Sequence, residues 1–136
     1  MQSKRLEIET GRRRVCDITA QVLEFCTGCA DGSDGLCTVF VPHATAGVAL
    51  MEVGSGSDED LVRALDRLLP RDEIYSHRHG SHGHGSDHLL PVLVSPSIVI
   101  PVLGGAPALG TWQSVVLVDP NVDNPRRQVL LSFLAG

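Results

Sequence analysis

Apolar and charged positions alternate at the start of the chain and predict two short strands. Leu6 and Ile8 lie between charged neighbours, and Val15 and Ile18 follow three consecutive arginines. Residues 19–29 then predict a helix that Thr19 caps. The inner side of this helix is expected to carry Val22, Leu23, Phe25 and Cys26.

The middle of the chain predicts one strand followed by one amphipathic helix. Residues 36–51 are apolar and β-branched apart from Pro42 and His43, which favours one long or bent strand ending at a Gly-Ser-Gly turn. Ser57 opens an acidic first turn suited to the start of a helix. Leucines recur at helical spacing until Pro70 ends the pattern, at positions Leu61, Leu65 and Leu68.

The last third of the chain predicts a short helix and three further strands. Residues 89–94 favour a short helix capped by Ser86 or Asp87, and residues 98–103 favour a strand. Residues 112–119 and 127–134 are expected to pair as two closing strands. We therefore predict an α+β fold: a single domain over residues 1–136, with a sandwich-like mixed β-sheet core and a few packed helices.

Composition narrows the classes of partner. The net charge is −5 and aromatic residues make up 4% of the chain, so the core is expected to be aliphatic and no nucleic-acid partner is expected. No apolar run reaches the length of a membrane span, and the first residues lack a signal-peptide core. We expect a cytoplasmic protein with no membrane partner.

Four cysteines are present, and two of them form a CxxC, Cys26 and Cys29. Such a pair is compatible with redox chemistry or with half of a zinc site. A second CxxC is missing from the sequence, and no predicted strand leads straight into the first one. We expect reduced thiols, partly buried near a helix end.

Histidine is concentrated in one short stretch, HRHGSHGHGSDH, over residues 77–88. Five of the six histidines of the chain lie there, and the sixth is His43. The stretch has no apolar period and is rich in glycine and serine, so it predicts a loop. Neutral imidazole is the commonest metal ligand among side chains, which suggests a metal site. A solvated polar loop that binds metal incidentally is the alternative that spacing alone leaves open.

Several motifs in fixed order resemble the YjbQ-like family, also called UPF0047. They are HATAGVALMEV, SDEDLVRALDRLLP, Tyr75-Ser76-His77, Asp87-His88-Leu89, GTWQSVVLVD and Pro125-Arg126-Arg127. The resemblance implies a compact α+β homotrimer, a metal pocket built around three histidines and a thiamine-phosphate-synthase activity. Carried over by position, the metal ligands are His43, His77 and His88. This sequence departs from the family pattern at Ala44 and Asp87, and it adds His79, His82 and His84.

Three imidazole nitrogens and a water would make an open site of the catalytic zinc type. Zinc is therefore the expected divalent ion. The alternatives are magnesium and the transition metals other than zinc. The bound water would act as a nucleophile, or a substrate oxygen would replace it.

Six other residues are candidates for roles around such a site, each with an ordinary structural alternative. Glu52 is a candidate acid or base, but strand alternation puts it opposite His43 unless the strand bends. Thr45 shares a face with His43 and would bond substrate or water. Substrate contacts are predicted for Trp112, Gln113, Arg126 and Arg127.

The sequence leaves two classes of function open. In the first, the protein is a transferase that joins a pyrimidine pyrophosphate to a thiazole phosphate and releases pyrophosphate, with metal-assisted hydrolysis of a phosphate or other ester as the enzymatic rival. Its partner would be a small phosphorylated substrate. In the second, the protein is a non-catalytic module that binds metal or a small ligand.

Overall fold

The computed structural model describes residues 1–72 and 74–136, which form two antiparallel sheets and the helices packed against them. Within the described residues the strands, in chain order, are β1 (Gln2–Glu9), β2 (Val15–Asp17), β3 (Gly35–Phe40), β4 (Gly47–Met51), β5 (Ser97–Leu103), β6 (Ala106–Pro107), β7 (Ser114–Val118) and β8 (Arg126–Ala135). The helices are α1 (Thr19–Ala30), α2 (Ser57–Leu68), α3 (His84–Asp87) and α4 (Leu90–Leu93). The predicted α+β class is confirmed.

One sheet has five strands in the order β1-β8-β3-β5-β6, and the other has three in the order β2-β7-β4. Every pairing between described strands is antiparallel. The main core lies between the sheets and is closed by the inner face of α1, where Val22, Phe25 and Cys26 are buried. This core is mainly aliphatic, as the low aromatic content predicts.

Strand β7 is buried on both faces, which explains its unbroken apolar sequence. Val115 and Leu117 face the main core, whereas Val116 and Val118 face a second cluster. That cluster is completed by Leu65 of α2 and Leu90 of α4. Helices α2 and α4 therefore cover the far side of the three-stranded sheet.

The prediction of one strand over residues 36–51 is wrong. β3 belongs to the five-stranded sheet and β4 to the three-stranded sheet, so the chain crosses between the sheets at residues 41–46. Pro42 has no N–H for a ladder and interrupts the pairing at this crossing. His43 lies in the crossing segment and is not part of a strand.

The prediction that residues 112–119 pair with residues 127–134 is also wrong. β7 pairs with β2 and β4, while β8 pairs with β1 and β3. The segment between β7 and β8 carries the chain from one sheet to the other, and Asp119 at its start bonds Arg127 inside β8.

Two predicted helix ends also differ. The helix predicted over residues 89–94 is α4 alone, with Pro91 in its first turn. The predicted caps, Ser86 and Asp87, lie inside α3, a separate short helix that precedes it. At α1 the N-cap is Ile18. The Thr19 hydroxyl donates to Asp17 and accepts the N–H of Val115, so it ties the helix to β7 instead of capping it.

The four cysteines are free, and three of them, Cys16, Cys26 and Cys37, are buried. Burial raises the pKa of the Cys16 and Cys26 thiols, and the pKa of Cys37 is raised far above its usual value for the same reason. A thiol with a raised pKa is a poor nucleophile and a poor metal ligand. The structure thus favours cysteines that fill the core over a redox pair or half of a zinc site.

Candidate metal centre

The histidine-rich segment follows α2 as a tightly folded loop that ends in α3. Gly80 and Gly83 both adopt positive φ, at 84° and 83°, which non-glycine residues rarely tolerate. A Cβ on Gly80 would lie 2.5 Å from Nδ1 of His84, and one on Gly83 would lie 2.5 Å from the Arg71 guanidinium. The glycines between the histidines therefore allow the loop to fold back on itself and bring the imidazoles together.

Four histidine rings meet in this loop. The ring centroids of His77 and His79 are 4.0 Å apart, and those of His77 and His88 are 4.3 Å apart. One ligand nitrogen from each of His77, His79 and His84 lies within 4.8 Å of the other two. Nε2 of His88 lies 3.0 Å from Nε2 of His84. The four histidines are called the histidine cluster below.

This arrangement fits a transition-metal ion in its donor chemistry. Two nitrogens on one zinc ion, each bound at about 2.0–2.1 Å, lie at most ~4.2 Å apart. The separation between His84 and His88 is within that limit, whereas the ligand nitrogens of His77, His79 and His84 are grouped within a wider 4.8 Å. Imidazole donors suit zinc, copper, nickel or iron and do not suit magnesium.

The environment of the cluster keeps its lone pairs available. Loss of water contact and the neighbouring imidazoles lower the pKa of His77 below its ordinary value. The same causes lower the pKa of His88, against a smaller opposing effect of Asp87. Both rings are therefore mostly neutral at pH 7, the form that binds metal.

His84 is held from outside the cluster by the segment that follows β7. Its Nδ1 lies 2.7 Å from Oδ2 of Asp123 and 3.1 Å from Nδ2 of Asn121. The Ser81 amide donates to the same carboxylate oxygen, and this contact is the largest of the effects that lower the pKa of Asp123 to about 2. Asp123 is thus an ionised acceptor beside the His84 ring.

A chain of buried polar groups continues from Asn121 into the protein. Asn121 Nδ2 donates to Asp87 at 3.0 Å, and the buried Asp87 carboxylate pairs with Arg71. The Asp119 side chain accepts the backbone N–H of Asn121 and two hydrogen bonds from the Arg127 guanidinium. The Nη2 atom of Arg127 also donates to Thr45 Oγ1 at 3.0 Å. This buried polar network connects both sheets to the loop.

Of the three predicted ligands, the structure brings two into the cluster, His77 and His88. His43 is placed elsewhere: its Nε2 accepts the backbone N–H of Gln128 at 2.8 Å. Burial and the nearby Arg127 lower the pKa of His43. The ring contacts between described histidines join His77, His79, His84 and His88 and do not include His43. The predicted trio stays a prediction, while His79 and His84 are the neighbours that the geometry adds.

The other predicted site residues lie in varied surroundings, and their predicted roles stay predictions. Thr45 is buried against Arg127, and Glu52 is exposed after β4. Trp112 is exposed, and the Gln113 side chain accepts from the Gly110 amide.

The two predicted phosphate ligands are both engaged in ion pairs. Arg126 pairs with Glu9 at the surface, and Arg127 pairs with buried Asp119. Neither guanidinium lines the cavity beside the histidine cluster as the structure describes it.

Sequence reasoning did not single out Asn121 and Asp123. Both lie in the segment between the two predicted closing strands, and they are 37 and 39 residues from His84. The signal was present, since this segment places three Asx side chains directly after a strand without charged residues. The sequence does not show that this segment lies beside His84 in the fold.

A cavity of about 120 Å³ adjoins the cluster. It is lined by histidines 77, 79, 82 and 84, by the glycines and Ser81 between them, and by Asp72, Tyr75 and Arg78. Pockets that enclose drug-sized ligands are about 300–1,000 Å³. The cavity therefore accommodates an ion with a small oxygen ligand and is too small to enclose a pyrimidine and a thiazole together.

Comparison with known proteins gives a consistent family assignment. The family model described as "UPF0047 protein YjbQ-like" matches residues 4–136. The chain is 62% identical over 136 residues to the UPF0047 protein Rv2556c of Mycobacterium tuberculosis, with 100% of both chains covered. It is 34% identical to a UPF0047 protein of Archaeoglobus fulgidus, with 95% of this chain and 98% of that protein covered.

Solved structures share the fold. The protein APE1520 of Aeropyrum pernix superposes with a TM-score of 0.89 at 34% identity, covering 100% of both chains. A Sulfolobus solfataricus protein, described as YbjQ-like and of unknown function, superposes with a TM-score of 0.91 at 24% identity, covering 99% of this chain and 97% of that one. The latter likeness supports the fold alone.

The predicted thiamine-phosphate-synthase function is wrong by these comparisons. The family model and the relatives named above carry family names without an activity, and the Sulfolobus protein is described as of unknown function.

Among the described helices, none is both long and apolar enough to cross a membrane.

Proposed function

The chain belongs to the YjbQ-like UPF0047 family, and from that premise we propose that it binds one divalent transition-metal ion, with zinc preferred, in the histidine cluster. The observation that carries the proposal is the convergence of ligand nitrogens from His77, His79 and His84 within 4.8 Å. His88 lies beside this trio, with its Nε2 3.0 Å from Nε2 of His84, and stays outside the proposed ligand set. Three neutral imidazoles leave a coordination position for water or a ligand oxygen.

The rest of the cavity supports such an open position. Tyr75 and Arg78 line it, and the Ser81 hydroxyl is shielded from solvent without a hydrogen bond of ordinary geometry. Its contact with the Asp123 carboxylate falls outside that geometry, so the hydroxyl is available to bond a metal-bound oxygen ligand. When bound, the ion would polarise that oxygen. Catalysis, a phosphorylated substrate and a cytoplasmic location stay predictions.

The test is metal content in a series of alanine variants. Protein without an affinity tag, treated with a chelator and reloaded with zinc, is expected to hold about one ion per chain by elemental analysis. His77→Ala, His79→Ala and His84→Ala are each expected to weaken zinc binding at least ~10-fold, because each removes a ligand nitrogen. Zinc dissociation constants are measured by competition with a chromophoric chelator.

His43→Ala is the matched control for these three substitutions. It also removes one histidine, but one that lies outside the cluster and accepts the backbone N–H of Gln128. It is expected to keep the wild-type affinity. Loss of zinc in His43→Ala, with retention in His79→Ala, would favour the trio of His43, His77 and His88 instead. Zinc affinity unchanged in every variant would contradict the proposal.

We also propose that the chain assembles as a homotrimer through the outer face of the five-stranded sheet. Leu36 of β3, Val99 of β5 and Leu134 of β8 are exposed on this face. The strand register puts Leu36 beside Leu134 and puts Thr38 beside Val99, so the apolar side chains are contiguous. A contiguous exposed apolar patch is typical of an association surface.

Val99→Asp is expected to convert the trimer into monomers, because it places a charge in the centre of this face. Light scattering coupled to size-exclusion chromatography gives the mass. Val92→Asp in α4 is the control, since Val92 is 80% exposed away from this sheet, and it should leave the mass unchanged. A monomeric wild type at micromolar concentration would exclude the assembly.

A further inference from the structure

We infer that Asp123 is a positioning residue that fixes the Nδ1–H tautomer of His84, and that Asn121 is a competing donor that would impose the opposite tautomer if Asp123 were absent. The inference deepens the proposed metal binding and rests on it, because the tautomer decides which nitrogen of His84 is free for an ion. Neither Asp123 nor Asn121 belongs to the histidine-rich segment itself.

The carboxylate side of this competition is direct. Asp123 Oδ2 lies 2.7 Å from His84 Nδ1 and already accepts the Ser81 amide at 3.1 Å. An ionised carboxylate has acceptor capacity only, so the proton in the contact with His84 lies on Nδ1. The lone pair of a neutral His84 ring then lies on Nε2. That nitrogen faces Nε2 of His88, inside the cluster.

The amide side is fixed by its own partners. Asn121 Oδ1 accepts the backbone N–H of Asp123 at 3.0 Å, while Nδ2 donates to Asp87 at 3.0 Å. These contacts set the orientation of the amide, because a flipped amide would put its oxygen against the Asp87 carboxylate. The group that Asn121 presents to His84, at 3.1 Å, is therefore an N–H donor.

His84 Nδ1 thus lies between the Asp123 carboxylate, which accepts, and the Asn121 side-chain amide, which donates. A protonated Nδ1 can bond only the carboxylate, and an unprotonated Nδ1 can bond only the amide N–H. With Asp123 in place, the shorter contact and the negative charge favour Nδ1–H. Without Asp123, the Asn121 amide donates to an unprotonated Nδ1, and the proton of the neutral ring moves to Nε2. Nε2–H would then point into the cluster and would have to be lost before His84 could bind metal there.

Carboxylate contacts to the remote nitrogen of a metal-binding histidine are a general means of orienting the ring, and their removal typically costs 10–100-fold in metal affinity. In this chain a second group also contacts the same nitrogen: the buried side-chain amide of Asn121, which favours the opposite tautomer. Loss of Asp123 is therefore expected to change the tautomer as well as to weaken the hydrogen bond.

The test is Asp123→Ala, examined first without metal. In chelator-treated protein labelled with ¹⁵N-histidine, long-range ¹H–¹⁵N correlation spectra report which ring nitrogen carries the proton. Wild-type His84 is expected to be Nδ1–H, and Asp123→Ala is expected to give Nε2–H. In a separate competition titration, the zinc dissociation constant of Asp123→Ala is expected to rise about 10–100-fold.

Asp72→Ala is the matched control, because Asp72 lines the same cavity and its removal takes away the same charge. It should leave the His84 tautomer unchanged. Asp123→Asn is the second variant: its amide oxygen still accepts from Nδ1–H, so it should keep the wild-type tautomer. The Asp123 side chain is 35% exposed, and these variants are expected to fold.

The two hypotheses fail in different ways. If wild-type His84 is already Nε2–H, or if Asp123→Ala leaves it Nδ1–H, the positioning role of Asp123 is overturned whatever the zinc affinity. If the tautomer changes as expected while the wild type binds no zinc, the inference about Asp123 holds and the proposed metal function is wrong.

Discussion

Asp119→Ala is expected to lower the free energy of unfolding by about 3–5 kcal/mol. The Asp119 side chain is fully shielded from solvent and that of Arg127 is 4% exposed, with two hydrogen bonds of 2.6 and 3.0 Å between them. Removing the carboxylate leaves a buried guanidinium that still donates to the neutral oxygens of Thr45 and Asn121. Urea unfolding at pH 7, followed by circular dichroism, measures the change.

Glu9→Ala provides the control, because Glu9 at the end of β1 pairs with Arg126, the neighbour of Arg127 in β8. Glu9 pairs with Arg126, and both side chains are more than half exposed, so the loss is expected to be about 0–1 kcal/mol. Equal effects of the two substitutions would show that the Asp119–Arg127 pair does not stabilise the fold as a buried ion pair. The comparison separates burial from charge, because each variant removes one carboxylate from an arginine of the same strand.

The effect of Asp119→Ala should extend to the histidine cluster. Asp119 accepts the backbone N–H of Asn121, and Asn121 contacts both Asp87 and His84. The pair also joins the two sheets, since Asp119 follows β7 and Arg127 lies in β8. The same buried network therefore stabilises the fold and positions the loop.

The sequence predicted the elements that bury one clear face. Helix α2 begins at Ser57 and ends at Leu68 as its leucine spacing and acidic first turn indicate. β1 is predicted from alternation, and β2 and β5 are predicted from short apolar segments. The spacing of apolar residues within one segment indicates whether it is a helix or a strand, so these elements can be predicted without knowing which strands pair with them.

Strand pairing could not be read in the same way. Residues 112–119 and 127–134 are adjacent apolar runs separated by a turn, which is the usual pattern of a hairpin. The structure puts β7 and β8 in different sheets, and the Asp119–Arg127 pair and the segment between the strands connect the sheets. A buried ion pair between a strand end and another strand has no periodic signature.

The candidate site was predicted in part for the same reason. The density of histidines over residues 77–88 is visible in the sequence, and the cluster forms within that segment. The residue that holds His84, Asp123, is 39 positions away and reaches it only through the fold. His43 was singled out through family resemblance, whereas its contact with Gln128 depends on how the chain crosses between the sheets.

Gly47→Ala is expected to destabilise the protein by about 1–3 kcal/mol or more. A Cβ at Gly47 would lie 2.1 Å from the carbonyl oxygen of Val94 and 2.9 Å from its carbonyl carbon, so backbone must move. The neighbouring contact limits that movement, since the Val48 amide donates to Ser95 at 2.8 Å. The midpoint of urea unfolding is the measurement, and it should fall.

Gly28→Ala is the opposite case and makes the comparison informative. Gly28 lies inside α1, and a Cβ there would meet no atom within 4 Å, so alanine should stabilise the protein by about 0.5–1 kcal/mol through its helix preference. The same substitution is thus expected to change stability in opposite directions at two glycines that the sequence does not distinguish. A Gly47→Ala midpoint at or above that of the wild type would show that β4 and the segment after α4 can separate without cost. The close approach of Val94 would then not be what requires glycine at this position.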